Sequence, residues 1–266
     1  MPHMANTQTN DFSKGSVAGN ILRLALPMTV AQLINVLYSV VDRMYIGRLP
    51  DAAGNALTGL GLTFPILSIV TAFANLFGMG GSPLFSIQRG KGDRDRAQVI
   101  LGNTFALLVG TGVALTVVLL VLKRPLLYAF GASDATYPYA DGYLTIYLLG
   151  SIFVMISLGM NQFINAQGFG RTGMLTVLIG AVTNILLDPV FIFVLDMGVQ
   201  GAALATILSQ FLSAVWAVSF LRGKKALIRL EWGSMRLQPK LVWQIVSLGF
   251  SSFVMAITNS IVQVAC

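Results

Sequence analysis

The chain predicts an all-α polytopic membrane protein, a six-helix transmembrane lobe followed by the first helix of a second, pseudo-symmetric lobe. Three observations carry that prediction. Of 266 residues, 55% are apolar and only 10% charged, with a mean hydropathy of +0.77. Soluble domains carry about 25% charged residues. Seven apolar stretches are long enough to cross a bilayer, whose ~30 Å hydrocarbon core needs about 20 residues of helix. The basic residues between those stretches fall almost entirely on one side, as they do in membrane proteins. Such a composition excludes a soluble enzyme, a secreted disulfide scaffold and a disordered tail.

The chain's single cysteine, Cys266, and single histidine, His3, remove further options. They leave no intrachain disulfide, no cysteine metal cluster and no histidine-based catalytic or zinc site. The chain therefore reads as a non-enzyme without a cofactor. A net charge of +7 and a pI near 9.8 would point to nucleic acid in a soluble protein. Here membrane topology explains the basic residues, and no nucleic-acid partner is expected.

Taken in order, 1–20 is a cytoplasmic N-terminal segment, with 1–4 reading as an expression scar. The first span, 21–46, is too long for a cleavable signal. Its Gln32, Asn35, Ser39 and Asp42 recur at spacings of 3, 4 and 3, which sets them on one helical face. The second span, 56–86, repeats the device with Ser68, Thr71, Asn75, Gly78 and Ser82. The third, 99–122, shows Gly102, Ala106, Gly110 and Ala114, a purely small row that predicts close helix packing. In the fourth, 139–164, Asp141 and Tyr139 read as interfacial, Tyr143 as a cavity wall, and Asn161 as a polar residue deep or near the cytoplasmic end. The fifth, 174–195, aligns Thr176, Gly180, Asn184 and Asp188 at every fourth residue. The sixth, 202–221, is preceded by Gly201 and continues Ala205, Ser209 and Ser213, with Thr206 and Gln210 beside them. The seventh span is 241–265.

Polar groups in hydrocarbon are costly, so they face a bundle interior or a wet cavity. Asp188 stands out. Asn184 lies one turn earlier on its face, and Pro189 follows it. Proline lacks an N–H and clashes with the carbonyl four residues back, which frees the Ile185 carbonyl and makes Pro189 a candidate hinge. A carboxylate, an amide and a loose carbonyl together form a candidate proton or Na⁺ site at Asp188 and Asn184. A carboxyl held away from water can carry a proton near neutral pH. Asp42, near the outer end of the first span, is a second candidate, with interfacial pairing to an arginine as the structural alternative. Met28, Met155, Met160 and Met255 suit either a soft binding wall or ordinary packing.

The loops fix orientation. The stretch 88–97 carries Arg89, Lys91, Arg94 and Arg96, and 222–240 carries Arg222, Lys224, Lys225, Arg229, Arg236 and Lys240. With Lys14, Arg23 and Arg171 these make 13 basic residues on one side, against Arg48, Lys123 and Arg124 on the other. The N-terminus is therefore expected in the cytoplasm. The basic stretch 222–240 reads as an inter-lobe linker, and 241–266 as the first helix of a truncated second lobe. A weak internal repeat agrees: setting 21–42 over 245–266 gives five identities in 22 positions, among them Asn35 with Asn259. Transporters are commonly built from such repeats. Gly168-x-Gly170-x-x-Gly173 mimics a dinucleotide fingerprint, but no strand precedes it, so it reads as a tight loop. There is no Walker A motif, and ATP is not an expected partner.

Several local strings, in order, resemble the multidrug and toxic compound extrusion (MATE) family. They are Leu26-Pro27-Met28 with Gln32, the run from Val41-Asp42-Arg43 to Gly47-Arg48-Leu49, and Asn165-Ala166-Gln167-Gly168. Asn184-Ile185-Leu186-Leu187-Asp188-Pro189 and Gly201-Ala202-Ala203-Leu204-Ala205-Thr206 complete the set. The resemblance covers nearly the whole chain and is nearest to the bacterial branch that contains the staphylococcal drug exporter. It implies twelve helices in two six-helix lobes, of which this chain holds one lobe and the start of the next. It implies alternating access and export of amphipathic organic cations against an inward H⁺ or Na⁺ gradient, from a bacterial inner membrane. Carried over residue by residue, the family's cation-coupling positions fall on Asp42, Asn184, Asp188 and Thr206. Tyr143 and Asn161 match fourth-helix positions, and with Gln32 and Asn35 they form the expected substrate cavity. A lipid-linked oligosaccharide flippase of the same superfamily is the principal alternative, although its cavity should be richer in basic residues. A non-transporting half-transporter fragment is another. A membrane-embedded prenyltransferase would need paired aspartate motifs, and Asp93-Arg94-Asp95 is the one close pair.

Overall fold

The computed structural model describes residues 17–48 and 53–265. The expression scar at 1–4, Lys14, Leu49 and Cys266 lie outside the described residues, as does most of the segment 1–20. Among the described residues eight α-helices follow one another: α1 (Val17–Ile46), α2 (Ala53–Gly90), α3 (Arg94–Ala129), α4 (Tyr137–Leu149), α5 (Ser151–Ala166), α6 (Gly170–Pro189), α7 (Gly198–Arg222) and α8 (Pro239–Ala265). Among the described residues there is no strand. Among the described residues six helices are long and apolar enough to cross a membrane, and the bent pair α4 and α5 meets the same length and composition when taken together.

The fourth span is therefore not one helix. α4 and α5 meet at a 55° bend centred on Gly150, which also caps both helices. Glycine is a poor helix former, and here the side chain of Ile207 on α7 fills the space a Cβ would take. The Thr116 hydroxyl lies 3.0 Å from the Leu148 carbonyl and 3.0 Å from the Ser151 hydroxyl, so α3 supplies polar partners at the break. Polar side chains from neighbouring helices commonly satisfy such interruptions inside a membrane. The bend expected at Pro189 takes a different form. α6 ends there, and a single π-helical turn, Val190–Val194, carries the span on, closed by a hydrogen bond from the Leu195 amide to the Val190 carbonyl at 2.9 Å.

Packing follows the small and polar faces. α2 is central and packs on α3, α4, α5 and α8, while α1 packs mainly on α6, and α7 on α4, α5 and α6. α2 and α8 approach most closely at two glycines. A Cβ on Gly80 would collide with the Ile245 backbone, and one on Gly249 with the Leu76 backbone. Small residues permit such approach in membranes, where packing rather than water drives association. The small row of the third span behaves otherwise. Gly102 abuts Ser234 in the short 3-10 turn Trp232–Met235 rather than a neighbouring span, and Gly110 faces open space. The buried face of α3 takes Gly102 from that row and otherwise carries residues outside it, among them Asn103, Thr104, Leu108, Gly112 and Leu119. A small row draws helices together only where a neighbour stands on that side, and α3 is peripheral there. Leu26, Leu33, Val36, Val121 and Val194 are exposed, as expected of a lipid-facing surface.

Antiparallel succession puts the α2–α3, α5–α6 and α7–α8 connections at one end, and these carry most of the basic residues. The longest of them is held in place. The fully buried Gln167 accepts from the Leu227 and Ile228 amides at 2.8 and 3.1 Å and donates to the Ile228 carbonyl at 3.2 Å. The fully buried Asn103 accepts from the Gln238 amide at 2.8 Å and donates to the Ser234 and Arg236 carbonyls at 3.1 and 2.9 Å. At the opposite end Lys123 pairs with Asp141 at 2.7 Å and donates to Thr145 at 2.6 Å. Asp141 lies just past the first turn of α4.

Candidate functional site

The polar stripes converge. One cavity of ≈270 Å³ is walled by Asn35, Tyr38, Ser39 and Asp42 of α1, Ser68 and Thr71 of α2, Tyr143 and Tyr147 of α4, and Thr206 and Gln210 of α7. A second, of ≈520 Å³, takes Gln32 and Asn35 of α1, Thr71 and Asn75 of α2, and Asn161, Gln162 and Asn165 of α5. Asn35, Thr71 and Leu158 line both, so the two chambers adjoin. Among the described residues, neither wall contains a lysine, arginine or histidine. The Gly150 bend divides their construction, since Tyr143 and Tyr147 precede it and Asn161 follows it.

Each helix positions its residues by a local device. On α1, the Ser39 hydroxyl donates back to the Asn35 carbonyl at 3.0 Å, a bond within the turn that lies between Asn35 and Asp42. On α4, Tyr143 and Tyr147, one turn apart, stack with ring centroids 6.2 Å apart. On α7, the Ser209 hydroxyl donates to the Thr206 carbonyl at 2.7 Å. α6 meets α7 through its small and polar row. The Ser213 hydroxyl donates to the Thr176 carbonyl at 3.0 Å, Gly180 leaves room for Ser213, and the Asn184 amide donates to the Thr206 hydroxyl at 3.3 Å.

Asp42 lies on the wall of the first cavity, 8% exposed. Asp188 and Asn184 are fully buried and stand behind that wall. Asp188 and Asp42 are close enough to act on one another electrostatically, across the packed α1–α6 pair. Neither Asp188 oxygen closes a hydrogen bond, and the same holds for Asn184 Oδ1 and Gln210 Oε1. These are all acceptors, two on a carboxyl and two on amides. A proton or a hard alkali cation is the species that suits such a set, because oxygen donors are what hard cations take. Among the described residues no three His, Cys, Asp or Glu side chains gather as a metal site.

The structure thus brings together Asp42, Thr206, Tyr143 and Asn35 around one chamber, and Gln32, Asn35 and Asn161 around the other. Asn184 and Asp188 stand behind Thr206. Pro189 follows Asp188 at the α-to-π junction. Tyr38 was overlooked by the sequence reading, although it sits three residues after Asn35 and four before Asp42 and so completes the stripe. Asn165, one turn after Asn161, has an unpartnered amide oxygen beside Gly173.

Comparison with known proteins places these features. The family model MatE matches residues 27–190. The Multidrug export protein MepA of Staphylococcus saprophyticus is 27% identical over 256 residues, covering 96% of this chain and 56% of that protein. Its namesake from Staphylococcus aureus gives the same figures. The chain therefore spans about half the length of the curated relatives it matches. Among solved structures, a multidrug resistance MATE family transporter of the MOP superfamily in an outward-facing conformation aligns at 25% identity and a TM-score of 0.87, over 96% of this chain and 56% of that one. A MOP superfamily transporter from Pyrococcus furiosus, described as having a binding pocket of reverse polarity that suggests a different function, aligns equally well, at 25% identity, a TM-score of 0.87 and the same coverage.

Proposed function

Because the chain belongs to the MATE family, we propose that it supplies the cation-handling lobe of a secondary active antiporter that exports amphipathic organic cations. An inward gradient of H⁺ or Na⁺ drives the cycle by alternating access. The observation that carries this reading is the polarity of the two chambers: among the described residues their walls hold neutral polar groups and, in the first, the Asp42 carboxylate, and no basic residue. A pyrophosphate-linked oligosaccharide would call for basic groups there, so the flippase alternative is the weaker one.

In the proposed cycle the coupling ion enters from outside, meets Asp42 on the cavity wall and is shared with Asp188 behind it. Neutralising the pair removes the counter-charge that an organic cation needs, and the cation leaves outward. Binding of an organic cation from the cytoplasmic side restores the ionised pair and expels the ion. Coupling arises because ion and drug favour different states of one protein. Asn184 and Thr206 position the pair, since their hydrogen bond ties α6 to α7. Pro189 and the π turn after it supply the joint at which the outer end of α6 shifts. The basic end of the lobe faces the cytoplasm of a bacterial cell, and the basic segment 222–240 leads into a second lobe that begins with α8.

The test is gradient-dependent efflux and direct binding of a fluorescent organic cation, comparing the wild-type chain with Asp188→Asn. The variant is expected to bind the dye weakly and lose coupling. Undiminished gradient-dependent efflux by Asp188→Asn overturns the assignment, as does a wild-type chain that neither exports nor binds the dye.

A further inference from the structure

We infer that the segment from Arg222 to Trp243, at the basic end of the lobe, is a preformed binding ridge for the headgroups of anionic phospholipids. Three independent features lead there.

The first is charge. Between Arg222 and Lys240 the segment holds six basic residues and one acidic residue, Glu231. Arg222, Lys224, Lys225, Arg229, Arg236 and Lys240 are all exposed. Among the described residues the ion pair present is Lys123–Asp141, at the far end of the lobe, so no carboxylate neutralises this group. Basic residues near an anionic leaflet each contribute an attraction on the order of fivefold in binding.

The second is amphipathic aromatic surface. Trp232 is 67% exposed and Trp243 72% exposed, with Leu237 between them also exposed. Tryptophan at the ends of spans sits at headgroup level, half in apolar and half in polar surroundings. The Arg222 guanidinium lies 5.0 Å from the centre of the Trp232 ring. That stacking holds the planar cation in place while leaving N–H groups free for a phosphate, whose geometry a guanidinium matches.

The third is rigidity. Basic tails are ordinarily loose, but this one is not. Gln167 fixes the backbone at 227 and 228, and Asn103 fixes it from 234 to 238. Both amides are fully buried. Ala226, Ile228 and Leu230 face inward, which turns the charged and aromatic residues of the segment outward. The ordering entropy that a flexible basic segment would lose on binding is already spent.

The test uses the full chain with Trp216 and Trp243 changed to Phe, which leaves Trp232 as the sole tryptophan, excited selectively above the tyrosine band. The protein is reconstituted in phosphatidylcholine vesicles that contain a fraction of brominated phosphatidylglycerol or, in the parallel sample, of brominated phosphatidylcholine. Quenching of Trp232 by the anionic lipid is expected at a several-fold lower mole fraction than by the zwitterionic one. Arg222→Gln with Arg236→Gln is expected to bring the two curves together. Gln167→Leu, which keeps every charge and releases the backbone clamp, is expected to narrow the gap. Equal quenching by the two lipids in the parent protein overturns the proposal. So does a preference that survives the double arginine substitution, and an unchanged preference in Gln167→Leu overturns the claim that the ridge is preformed.

Discussion

The hydrogen bond from Asn184 to Thr206 is the point at which α6, α7 and the cavity wall meet. Replacing Thr206 with Val keeps the shape and removes the acceptor, which strands a fully buried amide N–H. Leaving such a group unpaired costs about 1–3 kcal/mol. Thr206→Val is therefore expected to lower the melting temperature in detergent, and Thr206→Ser to restore most of it. Equal melting of the Val and Ser variants would contradict that role. At this scale most of the site was legible in the sequence. Gln32, Asn35, Asp42, Asn184 and Asp188 declare themselves because a polar residue in an apolar helix needs a reason, and helical spacing shows which ones share a face. Tyr38 escaped because tyrosine is equally at home at a membrane interface and on a cavity wall. Nor could spacing show that Asp42 lies on the wall while Asp188 lies behind it. That depends on how α1, α6 and α7 pack, and each helix alone is silent about it.

Whole helices are governed by where backbones can touch. Gly249 lies against the Leu76 backbone, so Gly249→Val would force α8 off α2. Overpacking of this kind costs about 1–3 kcal/mol. Thermal unfolding should register the loss, and a cysteine cross-link engineered between α2 and α8 should form more slowly. An unchanged cross-linking rate would mean that the seam is not close-packed. The Lys123–Asp141 pair ties α3 to α4 but is partly exposed, 22% and 28%. Asp141→Asn is expected to cost no more than about 1 kcal/mol, a difference that a melting curve at high salt should erase. Six of the spans could be read as single helices from length and hydropathy. The break at Gly150 could not, since a single glycine leaves an apolar run intact. What opens the helix is Ile207, more than fifty residues away, together with Thr116 on a third helix. The small row of the third span misled for the same reason, because a row of glycine and alanine shows that a neighbour could approach and not that one does.

At the scale of the whole molecule the basic residues gather at one end, six of them in the segment 222–240. Sequence marked that segment as a charged linker, and the structure shows a strap pinned at two places. The pins are Gln167, inside a glycine-rich loop, and Asn103, next to the first glycine of the row read as packing. Their partners are backbone groups sixty or more residues away, which no local pattern predicts. Gln167→Leu is expected to expose Lys224, Lys225 and Arg229 to trypsin several-fold faster than in wild type, and unchanged cleavage would show that the strap holds without it. The chain's two chambers are built within the lobe itself, so cation handling can be tested on this chain directly. The decisive measurement is the response of organic-cation binding to the coupling ion, read on the purified chain. Binding is predicted to release protons in weakly buffered solution or to weaken as Na⁺ rises, and both responses are predicted to vanish in the Asp42→Asn, Asp188→Asn double variant. Binding that ignores both pH and Na⁺, or a response that the double variant retains, would contradict the account.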